Sequence, residues 1–353
     1  MTWTAANGTP VADGLPLLSG VEVHRAQRRL AERLAQTPVV RSDDLDRLAG
    51  ARLWLKAENL QRGGSFKMRG ALLAVERLVS SGSRGVVAQS TGNHAIAVAM
   101  AAREHGLTAV LVLPRDAAPT KVRRIRAADA EVLLVGMTLA ERMAAVGELA
   151  AARGLDVIDP YQNPDVVVGQ GTATAELLAQ AGSAGGSLDA VVIPVGGGSA
   201  VAGACLATEG RGIDVIAAEP AAVPALTEAL NAGHPVTVAT RTTIADGLRP
   251  DQIGELPFEL ARRRVADVVT VDETAIAEAM RLTLTHARLL VEPAAATAVA
   301  VALRIAASRQ GSDIGVLLSG GNVETGLVTS LLLDHSENSQ IPERPKFAEH
   351  SGH

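Results

Sequence analysis

Aromatic residues are scarce in this sequence of 353 residues, which contains three phenylalanines, two tryptophans and one tyrosine. Proteins that bind single-stranded nucleic acid stack bases on aromatic rings and hold the phosphates in a basic groove. Here the formal net charge is -5, and the lysine and arginine residues are scattered along the chain. We therefore expect no nucleic-acid partner. Because 47% of the residues are hydrophobic but only 2% are aromatic, we expect a core of alanine, valine and leucine.

Cysteine is almost absent, since Cys205 is the only one in the sequence. A single cysteine excludes an intrachain disulfide and indicates a reducing compartment. Its neighbours are alanine and leucine, so we expect a small buried thiol with no catalytic role. The sequence thus favours a cytoplasmic location.

The chain also lacks an uninterrupted hydrophobic run long enough to cross a bilayer. The most apolar long segment, residues 289–307, contains Glu292, Pro293 and Arg304, which is typical of a buried helix rather than a membrane span. The first residues do not show a basic segment followed by an apolar one, so we expect no signal peptide. No membrane partner is predicted.

Short runs of valine, leucine and isoleucine alternate with alanine-rich amphipathic stretches, which predicts an α/β fold with parallel sheets covered by helices. Nine strands are predicted, at residues 52–56, 85–89, 108–114, 131–135, 156–159, 188–195, 213–219, 267–271 and 314–318. Residues 1–19 and 334–353 lack such periodicity, and we expect them to be loose tails.

Ligands of open parallel sheets bind at the carboxyl ends of the strands, so the residues that follow each strand are candidates. Lys67 follows the first strand, after the glycines Gly63 and Gly64, and beside Ser65 and Phe66. It is either a solvated surface lysine or a desolvated amine that reacts with a carbonyl group. The glycines, which let backbone approach a ligand closely, favour the reactive amine.

Two further strand ends offer groups that bind anions. Residues 90–94, Ser-Thr-Gly-Asn-His, lead from a strand into a helix and indicate either an anion site or an ordinary helix cap. Gly196, Gly197, Gly198 and Ser199 precede another helix and resemble a phosphate cradle. Their spacing does not match a dinucleotide-binding motif.

Ser319 follows the last strand, and its hydroxyl is either a turn group or a partner for a ring nitrogen. The four strand ends together favour one ligand that carries an aldehyde, a phosphate and a heteroaromatic ring. Pyridoxal 5'-phosphate has all three.

The chain resembles fold-type II pyridoxal-phosphate enzymes of the serine/threonine dehydratase and serine racemase group, over residues 25–333. The motifs that carry this resemblance are 65–71 (SFKMRGA), 92–95 (GNHA), 169–172 (GQGT), 196–198 (GGG), 245–247 (ADG), 292–293 (EP) and 319–322 (SGGN). The resemblance implies two open, mostly parallel twisted sheets, as in the β subunit of tryptophan synthase. It also implies a large domain at 20–84 and 160–333, a small mobile domain at 85–159, and a homodimer.

The resemblance also assigns roles to individual residues. Lys67 is the Schiff-base lysine and then the general base. The cofactor contacts are implied for Phe66, Asn93, Gly196, Gly197, Gly198, Ser199, Glu292 and Ser319. The substrate contacts are implied for Ser90, Thr91, Asn93, His94 and Gly247. Thr91 stands where racemases of the group carry a serine base, so we also count it as a catalytic candidate.

The neutral Ser319 at the ring nitrogen favours prompt loss of a β-leaving group. We therefore expect β-elimination from a small β-hydroxy amino acid, such as serine, threonine or 3-hydroxyaspartate, to give a 2-oxo acid and ammonia. The alternatives are an amino acid racemase, a β-replacement enzyme, a dehydratase-like protein of hydroxyectoine utilisation, and a non-catalytic binding protein on the same fold.

Three positions depart from the pattern of the group or bear on the substrate. Ser199 stands where many relatives have a fourth glycine. Arg142 lies where some relatives meet a second substrate carboxylate, although a solvated helix arginine is the simpler interpretation. Ala225 replaces the second acidic residue of the cation site that relatives build near Glu219, so we predict a weak metal site or none.

Overall fold

The computed structural model describes residues 11–12, 15–90, 92–117 and 119–333. The chain divides into a unit of residues 1–322 and a second unit of residues 323–353, whose described residues, 323–333, contain one helix. The predicted tail at 334–353 lies outside the described residues, as do residues 1–10 and 13–14 of the other tail.

Twelve strands are described: β1 Val11–Ala12, β2 Leu15–Pro16, β3 Val39–Val40, β4 Arg52–Ala57, β5 Gly85–Gln89, β6 Thr108–Leu113, β7 Glu131–Leu134, β8 Asp156–Val157, β9 Ala190–Pro194, β10 Asp214–Pro220, β11 Val265–Val271 and β12 Asp313–Leu318. The nine predicted strands are all present, with ends that differ by up to two residues. The edge strand β3 and the short β1–β2 pair were not predicted.

Thirteen α-helices are described: α1 Gly20–Leu30, α2 Asp43–Ala49, α3 Lys67–Ser80, α4 Asn93–Glu104, α5 Pro119–Arg126, α6 Leu139–Arg153, α7 Pro164–Ser183, α8 Ser199–Ala207, α9 Ala225–Ala232, α10 Glu255–Ala261, α11 Glu273–Leu282, α12 Pro293–Ala306 and, in the second unit, α13 Thr325–Leu333. Residues 289–307 therefore contain a buried helix, as predicted. Within the described chain, no helix has the length and apolar character needed to span a membrane.

The strands form two main sheets. The first has the order β11-β10-β9-β12-β4-β3 and is parallel except for β3, which pairs antiparallel with β4. The second has the order β7-β6-β5-β8 and is entirely parallel. This confirms the predicted α/β class with two mostly parallel sheets. The division into a large and a small mobile domain stays a prediction.

Helix α7 packs against both α3 and α8 with backbone touching backbone. A Cβ atom on Gly169 of α7 would lie 2.5 Å from the Cα of Gly70 in α3, and one on Gly203 of α8 would lie 2.5 Å from the nitrogen of Gly171. Only glycine permits such close approach at these crossings. Because α3 begins at Lys67 and α8 begins at Ser199, α7 fixes these two residues relative to each other.

An ion network is buried between α3, α7 and β4. Arg69 of α3 is fully buried and donates to both carboxylate oxygens of Glu58 and to both of Glu176. Lys56 is also fully buried and donates to Glu176 at 2.8 Å and to the carbonyl of Thr37 at 2.7 Å. Two cations thus face two anions, which is the pairing that buried charges require.

Candidate active site

Sheet order explains why three of the predicted strand ends meet. Strands β9, β12 and β4 are consecutive neighbours, so the loops that leave their carboxyl ends lie side by side. The Ser319 carbonyl accepts a hydrogen bond from the backbone N–H of Phe66 at 3.0 Å, and Ser65 forms a β-bridge with Gly320. Ser319 itself is buried. The β12 loop therefore lies directly against the Lys67 loop.

Lys67 has the amine expected of a carbonyl-reactive group. Its Nζ donates to the Ser199 hydroxyl at 3.0 Å and to the Pro160 carbonyl at 3.3 Å, and lies 5.0 Å from the centre of the Phe66 ring. Burial lowers the pKa of Lys67 to about 8, against a smaller opposing attraction from Asp159. About a tenth of the amine is therefore uncharged at pH 7 and about half at pH 8.

The glycine loop is a cradle with no room for side chains. A Cβ on Gly197 would lie 2.0 Å from the Tyr161 ring, and one on Gly196 would lie 3.0 Å from the Gly247 carbonyl oxygen. Gly198 has φ +96 and is the N-cap of α8, with no side-chain hydrogen bond to the helix. The first N–H groups of α8 are thus left for an anion, which the helix dipole also favours.

Asn93 is held at both ends of its amide group. Its Nδ2 donates to the Glu292 carboxylate at 2.8 and 3.1 Å, while its Oδ1 accepts from Asn322 Nδ2 at 2.8 Å. The same Asn322 nitrogen donates to the Gly63 carbonyl at 2.8 Å. The structure therefore brings the β5, β12 and β4 ends together and places Glu292 as the residue that orients Asn93.

His94 is a buried, neutral ring. Its Nε2 lies 3.1 Å from the Ile158 carbonyl, which can only accept, so Nε2 carries the proton. Burial, helped by repulsion from Lys67, lowers the pKa of His94 to about 3. Within the described part of the chain, Nδ1 has no hydrogen-bond partner. In this tautomer Nδ1 is an acceptor and offers no proton to a carboxylate.

The other residues of the β5 end are only partly defined. The Ser90 hydroxyl accepts from the backbone N–H of Gly92 at 3.2 Å, so it shapes the loop. Thr91, a catalytic and substrate-binding candidate, lies outside the described residues.

Arg142 is half-buried on α6 and folds toward the carboxyl end of β5. Its Nη1 donates to the Met137 carbonyl at 3.1 Å, and its Nε lies 3.5 Å from Oε1 of Gln89, the residue before Ser90. The positive charge of Arg142 lowers the pKa of the Tyr161 hydroxyl, against the larger effect of burial. Arg142 is therefore directed toward the same edge as the other candidates.

Sequence reasoning missed the turn that follows β8. One Asp159 carboxylate oxygen accepts from the backbone N–H groups of Tyr161 and Gln162 at 2.9 and 2.7 Å, which presents the Pro160 carbonyl to Lys67. Burial raises the pKa of Asp159 and, together with negative neighbours, that of Tyr161. Asp159, at the end of a predicted strand, is the sequence signal for this turn, whereas no residue type marks the Pro160 carbonyl.

Two further candidates can be placed. Gly247 lies beside Gly196 and near Glu292, because a Cβ atom on Gly247 would be 3.9 Å from Glu292 Oε1. Cys205 is buried in α8, and burial raises its pKa to about 12, which leaves the thiol unreactive at neutral pH.

The residues near Glu219 do not fit a cation site. One oxygen of its buried carboxylate accepts from the Leu226 N–H at 2.6 Å, and the other from the N–H and hydroxyl of Thr227 at 3.0 and 2.7 Å. Both oxygens thus hold the first turn of α9, and Ala225 supplies no second carboxylate. Among the described residues, no group of three His, Cys, Asp or Glu side chains is arranged to hold a metal.

Comparison with known proteins shows the family to which the chain belongs. The family model described as pyridoxal-phosphate dependent enzyme matches residues 30–320, so the chain belongs to this family. An L-threo-3-hydroxyaspartate ammonia-lyase of Saccharomyces cerevisiae is 35% identical, over 91% of this chain and 98% of that protein.

Two solved structures extend the comparison. Serine racemase from Dictyostelium discoideum matches with a TM-score of 0.81 and 33% identity, over 87% of this chain and 99% of that chain. A threonine deaminase of T.th. matches with a TM-score of 0.82 and 40% identity, over the same shares. The cofactor is therefore pyridoxal 5'-phosphate, as predicted, and the glycine cradle and the desolvated Lys67 amine fit its phosphate and aldehyde.

Proposed function

We propose that the chain catalyses β-elimination from a small β-hydroxy amino acid, with 3-hydroxyaspartate as the substrate favoured by the site. The observation that carries this proposal is the Lys67 amine, whose lowered pKa and fixed hydrogen bonds suit a general base. The similarity to a 3-hydroxyaspartate ammonia-lyase supports the same reaction class.

Bound cofactor would supply the aldehyde that anchors the amino acid and an electron sink for Cα. Lys67 Nζ would hold the aldehyde in the resting enzyme and then take the proton from Cα. Hydroxide leaves Cβ, so the substrate loses one water in total. Lys67 Nζ would then bond to the aldehyde again, which frees the product nitrogen and releases an enamine. The enamine becomes an imine, and water replaces its nitrogen, which gives a 2-oxo acid and ammonia.

The remaining contacts are assigned by the same proposal. Phe66, Asn93, the loop 196–199, Glu292 and Ser319 would hold the cofactor, Glu292 by orienting Asn93. Ser90, Thr91, Asn93, His94 and Gly247 would surround the substrate. In its neutral tautomer, His94 would accept a hydrogen bond through Nδ1. A homodimer, a cytoplasmic location and a small mobile domain at 85–159 complete the proposal.

Arg142 supports a substrate with a second carboxylate. Its guanidinium points toward the β5 end, where Gln89 and Ser90 lie, although its α6 position would allow it to extend into solvent. Replacement of Arg142 with Gln should raise KM for 3-hydroxyaspartate by about 10- to 100-fold, the effect of one lost charged hydrogen bond. The KM for L-serine should change little.

Arg153→Gln is the matched control, because Arg153 lies on the same helix and pairs with Glu131 at 2.7 Å. It should leave both KM values unchanged. Equal effects of Arg142→Gln on both substrates would remove the support for a dicarboxylic substrate.

The reaction itself is tested with L-serine, L-threonine and the stereoisomers of 3-hydroxyaspartate, by assay of 2-oxo acid and ammonia. If none yields a 2-oxo acid, the proposed elimination is wrong. Borohydride reduction and peptide mapping should find a pyridoxyl group on Lys67. The Lys67→Ala variant should carry no such group and should have the same far-UV circular dichroism as the parent.

Racemisation is the second candidate, since a serine racemase structure is among the similar ones. Chiral chromatography of serine and aspartate after incubation distinguishes it from elimination. Formation of the opposite enantiomer without 2-oxo acid would replace our first proposal with this one.

A further inference from the structure

We propose that the Ser199 hydroxyl is a positioning group that orients the Lys67 amine. Ser199 stands where the resemblance leads one to expect a fourth glycine, and glycine has no side chain to make this contact. The hydroxyl is buried and lies 3.0 Å from Lys67 Nζ. The inference rests on the proposed role of Lys67 and adds a residue to it.

The hydroxyl is not used to cap its own helix. A serine at the start of a helix most often accepts a backbone N–H of the first turn. Here the N-cap is Gly198, with no side-chain hydrogen bond to α8, and Ser199 is the first helical residue. Its side chain instead contacts a residue 132 positions away in sequence.

Two acceptors determine the direction of the amine. An uncharged amine has two N–H bonds and one lone pair. The Pro160 carbonyl at 3.3 Å and Ser199 Oγ at 3.0 Å each accept one N–H, which leaves the lone pair in the remaining direction. With glycine at 199, the Pro160 carbonyl alone would restrain rotation about the Cε–Nζ bond.

The distance between the two side chains is set by the packing of their helices. Lys67 begins α3 and Ser199 begins α8, and both helices cross α7 at glycine pairs that allow no Cβ. Neither helix can shift toward or away from the other without breaking these crossings. The contact is therefore built into the fold rather than made by a mobile loop.

The test uses the full chain freed of cofactor with hydroxylamine, and follows its reaction with two aldehydes by stopped-flow absorbance. Pyridoxal phosphate and pyridoxal differ only in the phosphate, so an effect seen with both reports on Lys67. Ser199→Ala and Ser199→Gly should lower the high-pH plateau of the rate with both aldehydes by about three- to tenfold, as for one lost hydrogen bond.

The pH dependence of the rate is the readout that a merely structural role would not move. An oxygen that accepts a hydrogen bond from the ammonium favours the charged form of Lys67. The pH at which the rate reaches half of its plateau should therefore be lower in the two Ser199 variants than in the parent. Cys205→Ala is the matched control, because Cys205 is buried in the same helix and outside the site. It should leave plateau and midpoint unchanged.

Two results would overturn the proposal. A plateau within about twofold of the parent with pyridoxal would show that the hydroxyl does not orient Lys67, since one lost hydrogen bond should cost more than that. A loss confined to pyridoxal phosphate would assign Ser199 to the phosphate alone. If borohydride mapping finds no adduct on Lys67 in the parent, the proposed function fails first. An adduct on Lys67 together with unchanged rates in the variants defeats only the role of Ser199.

Discussion

Replacement of Arg69 with methionine is expected to lower the free energy of unfolding by about 3–5 kcal/mol, the usual cost of removing one partner from a buried ion pair. The structure gives the reason. Arg69 is fully buried and donates to Glu58 at 2.7 and 2.8 Å and to Glu176 at 2.9 and 2.8 Å. Methionine has a similar length but no charge, so both carboxylates would lose a bidentate partner.

The two carboxylates would keep different partners after the loss of Arg69. Glu176 keeps the cationic Lys56 at 2.8 Å, whereas Glu58 keeps the neutral hydroxyl of Thr37. Glu58 is fully buried, and its charge would be left with the attraction of Lys56, to which it makes no hydrogen bond. The double variant Arg69→Met with Glu58→Gln should therefore recover part of the loss.

Urea unfolding followed by far-UV circular dichroism measures this free energy, with the cofactor concentration held constant because ligand binding shifts stability. Arg77→Met is the matched control, since Arg77 lies on the same helix, is half exposed and makes a hydrogen bond to Asp165 at 3.1 Å. It should cost less than about 1 kcal/mol. Equal losses for the two variants, or a loss below about 1 kcal/mol for Arg69→Met, would refute the reasoning.

Two further predictions concern pH and metal ions. The pKa of His94 is about 3 in the folded chain and about 6.5 in the unfolded chain. Between these pH values only the unfolded state binds the proton, so this group should lower the free energy of unfolding by about 2 kcal/mol from pH 7 to pH 5. His94→Asn should remove that part of the pH dependence in urea unfolding, and an unchanged slope would contradict a neutral buried ring. Because Glu219 holds α9 with both oxygens, EDTA or added Mg²⁺ should alter neither the Tm nor the turnover, and a cation-dependent Tm would show that Glu219 has a metal partner.

The strands and the position of the site were predictable because both depend on local sequence and on a general rule. Apolar runs of about four to eight residues bounded by glycine or polar residues predict buried parallel strands, and ligands bind at their carboxyl ends. Strand β3 was not predicted because it is two residues long and depends on pairing with β4. The contact between Lys67 and the Pro160 carbonyl was not predicted, because every residue has a carbonyl and no residue type marks this one.

The buried ion network could not be predicted either. Arg69 lies in the lysine motif, but its burial depends on Glu176, which is 107 residues away. A sequence without its fold gives no reason to place an arginine in the core, since arginine is mostly exposed unless paired. The same holds for Ser199, whose identity signalled a departure from the group but whose partner became visible only in the structure.

The network and the glycine crossings act on the same helix, and this connects stability to the proposed chemistry. Helix α7 carries Glu176, which binds Arg69, and Gly169, which contacts Gly70, so two kinds of contact fix the first turn of α3. Lys67 is in that turn, two residues before Arg69. If the ion network helps to set the Lys67 direction, Arg69→Met should slow the reaction of Lys67 with pyridoxal as well as destabilise the fold. If the variant unfolds earlier but reacts at the parental rate, the glycine crossings alone fix α3, and the network contributes only to stability.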